Sequence, residues 1–595
     1  MKIAALSISN FRGIREGFVK FGTHPVLVGS NNTGKTTLIE ALALLIGRDR
    51  LTKELTEHDF FGSCPQPADR IKLVATITGF DGNDPDDHFD WFREGRAIPK
   101  WFDEATGTVH TVKTNAGWDL CCQIALQAYF DHDSLSVEVV RYFHDHDNPF
   151  DPFAEDAPVG IPGKLISQLG FYMVRASRTW DRVFSWGSEL FRRTLNAAAA
   201  QPSAAILAER DRLRQPQQPI ERDPHITQLI ENVNAEIARC FPSAPGIQLR
   251  VTGTDSKSVM EAVSAHFAVA EGPSIPAARQ GSGIVSMQGL MLLLELGRAR
   301  VEAGEGFLLA LEEPELHLPP SAQQQLVQRV QALSTQTFIT THSPLIAASA
   351  NPTSVMVLRN DHGELASEPF QETPLQPQAQ NWERRFFQHS RVDVLSALMQ
   401  PTILIPEGKA DFHLFRSILR PLMLTEGWSV TMPRAFGIEV GMVPTEDAKV
   451  VELYRAMSRI HRHVCCLVDG DHDGLRYIDS LLQEPSRPAA IIRWADGEMI
   501  EDVVGWILDA DPDAILVALN ELTNPAPQAI SEIVNRLKDS KMDIVAYEAV
   551  ADAIVSSPPC RVRAAELFGG LAAICVGGRS GRFASRDNGV WVFQP

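Results

Sequence analysis

Residues 25–46 read PVLVGSNNTGKTTLIEALALLI, and this stretch decides the fold. A compact apolar run, Val26-Leu27-Val28, ends at Gly29. Gly29, Gly34, Lys35 and Thr36 then fit the pattern G-x-x-x-x-G-K-[ST] in full, and an apolar helical periodicity follows from Leu38. Strand, loop and helix in this order are the setting in which that pattern binds phosphate. The glycines let backbone amides close around phosphate oxygens, and the helix N-terminus adds its partial positive charge. Asn31, Asn32, Thr33, Gly34, Lys35, Thr36 and Thr37 are the candidate nucleotide contacts. Lys35 would reach the β- and γ-phosphates, and the Thr36 hydroxyl would ligate Mg²⁺.

Working outward, KIAALSI (2–8) and GFVKF (17–21) read as short strands before the loop. RIKLVATITGF, CCQIALQAYF and SLSVEVVRYF, between residues 70 and 143, are long, alternating and turn-bounded, which predicts an antiparallel layer beside the first sheet. Residues 165–260 are helix formers broken by a Gln/Pro stretch, read as an inserted helical arm suited to self-association. Strand–helix alternation then returns. FLLALEEPE places five apolar residues, Phe307 to Leu311, before Glu312 and Glu313. Glu312 is the candidate Mg²⁺ ligand, through water, and Glu313 the candidate base that polarises attacking water. TFITTHSP ends a buried strand at His342, a candidate donor to the γ-phosphate. Upstream, Gln280-Gly281-Ser282-Gly283 opens a helix, and Ser282 with Gly283 forms a second candidate anion nest.

The chain has 595 residues, 55 Lys plus Arg and 74 Asp plus Glu, for a net charge of −19. That excludes a uniformly basic protein coating nucleic acid, though not a local basic groove. None of the eight cysteines forms a CxxC pair, so they read as core thiols in a reducing compartment. MKIAALSISNFRGI lacks the apolar core of a signal peptide, and no run approaches the ~18 apolar residues of a membrane span. The expectation is a soluble, cytoplasmic protein.

Residues 361–390 are polar and proline-bearing, a predicted linker between residues 1–360 and a second, smaller α/β unit over 391–595. There TILIP ends at Glu407, with Asp411 four residues on, and VCCLV ends at Asp469-Gly-Asp471-His-Asp473-Gly474. Acids at the carboxyl ends of parallel strands sit in the crevice where α/β sheets bind ligands. Clustered carboxylates suit Mg²⁺ or Mn²⁺ rather than zinc. D-x-D-x-D-G also begins a calcium loop, but its twelfth position is Ser480 and a buried strand precedes it. Glu501 is the first choice for a third acid, ahead of Asp502 and Glu498.

The order NFRG (Asn10 to Gly13), phosphate loop, insertion, QGSG, LLALEEPE and TTHS resembles the ABC-type ATPases of chromosome maintenance and recombination. That resemblance implies a head-to-head homodimer in which Ser282 of one subunit closes on the nucleotide of the other. The first acid in that group is commonly Asp, where this chain has Glu312. A glutamate after one strand and D-x-D after a later one resembles the TOPRIM fold of topoisomerases, primases and some nucleases. Both halves together resemble the OLD (overcoming lysogenization defect) family of ATP-dependent nucleases. The implied architecture is α/β: an ABC-type ATPase domain with an inserted helical arm, then a TOPRIM domain with a small parallel sheet flanked by helices.

The implied activity is a Mg²⁺- or Mn²⁺-dependent DNA endonuclease coupled to ATP hydrolysis, with Glu407, Asp411, Asp469, Asp471 and Glu501 holding two metals against a phosphodiester. A topoisomerase's active-site tyrosine in a companion domain and a primase's zinc ligands are missing, which favours hydrolysis over rejoining or polymerisation. The family also uses a late basic residue; Lys541 is the first candidate, with Arg579 and Arg582 competing. The rival readings are an ATP-gated DNA clamp and an ATPase that recruits defence or recombination proteins.

Overall fold

The computed structural model describes all residues except 48–54, 94–95, 146–150, 155–159, 177–187, 198–202, 244, 269–272, 317, 426–435, 437, 447, 521–524 and 587–588, and excepting also the side chains of 189 and 278. Residues 177–187, 198–202 and 244 of the expected arm thus lie outside the described part.

A thirteen-stranded sheet organises the first 370 residues. Its parallel part runs Phe171–Val174, Leu308–Glu312, Gln336–Thr340, Val26–Val28 and Val355–Asp361. Leu308–Glu312, Gln336–Thr340 and Val26–Val28 are buried at every position, as expected of parallel strands covered on both faces. One face carries the phosphate-loop helix, Lys35–Ile46, packing Leu38, Leu42 and Leu45 onto Leu6, Ile8 and Leu27. The other carries helices Ser282–Glu302 and Pro320–Leu333, packing Leu290, Leu294 and Leu326 onto Leu309, Leu311 and Ile339.

The strands between residues 70 and 143 form no separate layer. Ile71–Thr78 pairs antiparallel with Lys2–Phe11, and Asp119–Asp131 with Ile71–Thr78, so they extend the same sheet. Two boundaries also fall differently from the expectation. Phe171–Val174, inside the segment read as arm, is a strand of the parallel part beside Leu308–Glu312. Glu364–Pro369, inside the predicted linker, closes a hairpin with Val355–Asp361. Among the arm's described helices, Ser203–Arg214 and Thr227–Cys240 bury no residue in this chain, whereas Ser256–Ala262 buries Val259.

Beyond residue 400 a six-stranded sheet runs Val440–Met442, Thr402–Pro406, Val464–Val468, Ala490–Arg493, Val590–Phe593 and Phe583–Ser585, parallel except for the last. The chain leaves Thr402–Pro406 for Val440–Met442 on one side and then crosses to Val464–Val468 on the other. The order therefore reverses between Thr402–Pro406 and Val464–Val468, and the crevice at a reversal opens at the strands' carboxyl ends. Helix Arg391–Leu398 joins the two units: Val394, Leu395 and Leu398 share one core with Ile346 and Val355 of the first and Ile403 and Ile405 of the second. Arg391 also donates to the Ala350 carbonyl at 2.9 Å.

His461, at the end of helix Val450–Ile460, is buried and donates from Nε2 to the Gln400 carbonyl at 3.1 Å. Burial pushes its pKa down to about 4, helped by nearby His463 and Arg359. The unfolded chain takes up this proton near pH 6.5 while the fold resists it, so stability present above that pH is lost as pH falls towards 4. Urea unfolding should show wild type losing about 2 kcal/mol more than His461→Gln between pH 7.5 and 5. Parallel losses in the two proteins would exclude His461 as the source.

Candidate functional sites

Strand register builds the first site. Glu312 lies opposite Thr340, and Thr340 opposite Leu27, so the acidic turn, the histidine turn and the phosphate loop emerge at one end of the sheet. The loop needs left-handed backbone at Asn32 (φ 63°) and Gly34 (φ 94°). At Gly29 (φ 151°) a Cβ would lie 2.7 Å from the Leu358 carbonyl oxygen, so only glycine fits. Lys35 is buried, and its ammonium donates to the Gly29 and Ser30 carbonyls, both at 2.8 Å. Burial lowers its pKa to about 8, against the opposing charge of Glu313. Asn31, Asn32 and Thr36 are exposed and Thr37 is half-buried, while the buried Thr33 hydroxyl braces the loop by donating to the Ser30 carbonyl.

The acidic turn is equally specific. Glu312 is buried and accepts a long hydrogen bond from the Ala176 amide. Desolvation raises its pKa, and the charges of Glu40 and Glu313 add to this. Glu313 sits in the left-handed region (φ 43°), its amide donating to the Thr340 carbonyl at 2.9 Å. A strained non-glycine residue at a site is a feature the surrounding structure must hold in place. His342 Nε2 stands 4.0 Å from Glu313 Oε1, and burial with Lys35 nearby lowers the histidine pKa. Lys35, Glu312, Glu313 and His342 are thus brought together.

Sequence reasoning missed Glu315. Its Oε1 accepts from the Thr341 hydroxyl at 2.8 Å and from the His342 and Ser343 amides at 2.9 and 3.1 Å, clamping the acidic turn to the histidine turn. The available signal was the third acid of E-E-P-E. Ser282 and Gly283 begin the 21-residue helix Ser282–Glu302, with Ser282 exposed. Among the described residues the phosphate loop's side-chain hydrogen bonds do not reach Ser282.

The second site lies at the reversal point of the small sheet. Pro406 is registered with Leu467, which sets Glu407 beside the end of Val464–Val468. Glu407 Oε2 accepts from the Asp469 amide at 2.8 Å. Asp411, in the first turn of helix Lys409–Leu422, accepts from the Gly408 amide at 2.9 Å, and Asp471 caps helix His472–Leu482 by accepting from the Gly474 amide at 2.8 Å. Burial raises the Asp469 pKa, with the charges of Asp411, Glu407, Asp471 and Glu501 adding to it. Asp411 is raised by burial, then by Glu501 and Glu407, and Glu407 by burial, then by Asp471 and Asp473. Like charges crowd one another here.

Helix Ile500–Leu508 distinguishes the remaining acids. Glu501 is fully buried in the cluster, whereas Asp502 accepts from the Met499 amide and pairs with Lys538 at 2.6 Å. Glu498 stands beside Asp502 and Lys538. Among the late basic residues, Lys541 acts on Glu407. Arg582 is engaged by Glu566 at 2.8 Å and lies over Trp506, and Arg579 is exposed.

The donor chemistry suits a hard divalent cation. Both carboxylate oxygens of Glu501 and Oδ1 of Asp469 are buried without a hydrogen-bond partner, and buried carboxylate oxygens demand a cation or a proton. Among the described residues no three His, Cys, Asp or Glu side chains are already gathered closely enough to hold an ion. The fit is therefore in the charge of the donors and their unpartnered oxygens rather than in a preformed cage.

Gly470 fixes the D-x-D turn. Its amide donates to the Glu498 carbonyl and its own carbonyl accepts from the Gly497 amide, at 2.8 and 2.9 Å. An added Cβ would fall 1.7 Å from the Ala495 carbonyl oxygen. Gly470→Ala should cost about 2–3 kcal/mol in thermal unfolding and displace Asp469 from Glu501. An unchanged melting temperature would show that the two turns part freely.

Comparison with known proteins bears on the first half of the chain. Residues 1–91 and 190–347 match the family model described as an AAA ATPase domain. The match takes in the phosphate loop, Ser282, Glu312 and His342. The chain carries an ATPase domain. ATP binding follows from that domain. A comparison with curated proteins finds no match. Among solved structures, similar chains include an Smc head bound to the C-winged helix domain of ScpA, at 11% identity, 62% of this chain, 98% of that chain and a TM-score of 0.33. The SMC head domain from Thermotoga maritima matches at 13% identity, over 62% and 99%, with a TM-score of 0.27. The recombination mediator protein RecF-ATPrS of the RecFOR pathway matches at 11% identity, over 62% and 98%, with a TM-score of 0.28. Likeness this remote carries no conclusion about the present chain. Among the described residues no helix is long and apolar enough to cross a membrane.

Proposed function

We propose that the ATPase domain is of the ABC type, acting as a homodimer through Ser282, and that it governs a Mg²⁺- or Mn²⁺-dependent DNA endonuclease of TOPRIM type in residues 391–595. One observation supports the nuclease reading: five carboxylates following three neighbouring parallel strands lie within electrostatic reach of one another at the reversal point of the sheet, with oxygens of Asp469 and Glu501 buried and unpartnered. Glu407, Asp411, Asp469, Asp471 and Glu501 would hold the cation. When bound, it supplies Lewis-acid polarisation of a phosphodiester and a more acidic water. Lys541, exposed near Glu407, supplies positive charge where the scissile phosphate gathers negative charge.

In the ATPase half, Lys35 and the loop amides bind the phosphates, Glu313 orients the attacking water, and His342 faces the γ-phosphate from the neighbouring strand. Since Leu395 and its neighbours bury a core shared by both halves, the test uses the full chain. Supercoiled plasmid is incubated with the protein and Mg²⁺ or Mn²⁺, with and without ATP. Metal-dependent nicking or linearisation supports the endonuclease. Intact plasmid in every condition, with ATP still hydrolysed, shifts the reading to an ATP-gated DNA clamp.

A further inference from the structure

The turn that carries Lys541 is held in an unfavourable conformation. Met542, the next residue, has φ 73°, a left-handed backbone that a side chain with a Cβ rarely adopts. Two contacts impose it. The Asp543 amide donates to the Ser540 carbonyl at 3.1 Å, and the Met542 amide donates to the hydroxyl of Tyr547 at 2.9 Å. Tyr547 is fully buried, on helix Ile544–Ser556, packed in one core with Leu414, Phe415 and Ile418 of the helix whose first turn bears Asp411. A phenylalanine would fill that space equally well. The hydroxyl instead serves the turn, and its ring stands among the acids, within the electrostatic reach of Glu501 and Asp411.

We infer that Tyr547 is a positioning residue for the nuclease half: its phenol holds the left-handed Met542 amide and thereby fixes the direction in which Lys541 faces Glu407. This rests on the nuclease reading above. The phenol anchors the turn to the same packed helices that carry the carboxylates, so the ammonium and the acids move as one body. Without the phenol, Met542 relaxes towards negative φ, and the backbone leaving Lys541 turns away.

Tyr547→Phe in the full chain keeps the packing and removes the acceptor. Hydrogen exchange should show the Met542 amide exchanging about tenfold faster or more in this variant, with helix Ile544–Ser556 otherwise unchanged. In Mn²⁺-dependent plasmid cleavage, kcat should fall about tenfold with KM held within about twofold. In a Lys541→Ala background the same change should cost nothing further, because both substitutions remove one interaction. Unaltered exchange at Met542, a wild-type kcat in Tyr547→Phe, or a loss that multiplies that of Lys541→Ala would each overturn the inference. Cleavage that depends on Lys541 but not on Tyr547 overturns it alone, whereas a wild-type protein that never cleaves overturns the nuclease reading and takes this inference with it.

Discussion

Asp469→Ala should lower metal-dependent DNA cleavage by on the order of 10³-fold while ATP hydrolysis continues. The size follows from the charge a cation supplies to a phosphoryl transition state, several kcal/mol, at about 1.4 kcal/mol per factor of ten. Asp469 stands at the centre of the cluster: its amide binds Glu407, its Oδ1 is buried and unpartnered, and four neighbouring carboxylates crowd it. A readout independent of cleavage comes from folding. Burying an uncompensated charge is costly, so Asp469→Asn should melt higher than wild type without metal. Mn²⁺ at about 100 times its Kd should stabilise wild type by about 2.7 kcal/mol and Asp469→Asn by far less. Cleavage at the wild-type rate in Asp469→Ala, or an equal Mn²⁺ effect on both proteins, would remove Asp469 from the site.

The phosphate loop was legible because all its parts are contiguous: an apolar strand, two glycines whose backbone needs them, and a lysine at the start of a helix. Glu407 and Asp469 were legible for a related reason, since Ile403-Leu-Ile-Pro406 and Val464-Cys-Cys-Leu-Val468 before them are apolar runs that read as buried strands. What the sequence concealed depends on rotation and distance. Glu501 and Asp502 are adjacent, yet one helical step turns one into the cluster and the other outward to Lys538, a partner 36 residues away. Phe171–Val174 is only four residues long, too short to show a period against the helix formers beside it. The hairpin strand Glu364–Pro369 carries a proline and two glutamates, the composition of a linker, and becomes a strand because Val355–Asp361 offers it an edge. Tyr547 gave no signal at all, because its role depends on a backbone amide five residues upstream.

Lys35→Ala and Glu313→Gln should separate binding from hydrolysis in the ATPase half. Lys35 already points into the loop, held by the two carbonyls that nucleotide phosphate would replace as its partners. Charge-assisted hydrogen bonds of this kind are worth about 1.5–3 kcal/mol, so Lys35→Ala should weaken ATP binding by roughly 10- to 100-fold and abolish turnover with it. Glu313 has no place in the phosphate cradle. Its left-handed backbone and the 4.0 Å approach of His342 fit the role of water-polarising base proposed for it. Glu313→Gln keeps the shape and removes the base, so hydrolysis should fall by roughly 10²- to 10⁴-fold while ATP affinity stays within about twofold of wild type. Equilibrium binding of a fluorescent ATP analogue, beside phosphate release, distinguishes the two. If Glu313→Gln lost affinity as Lys35→Ala does, the glutamate would belong to nucleotide binding. If it hydrolysed ATP at the wild-type rate, the base would have to be sought elsewhere at the same sheet edge, with Glu312 and Glu315 the nearest carboxylates to try.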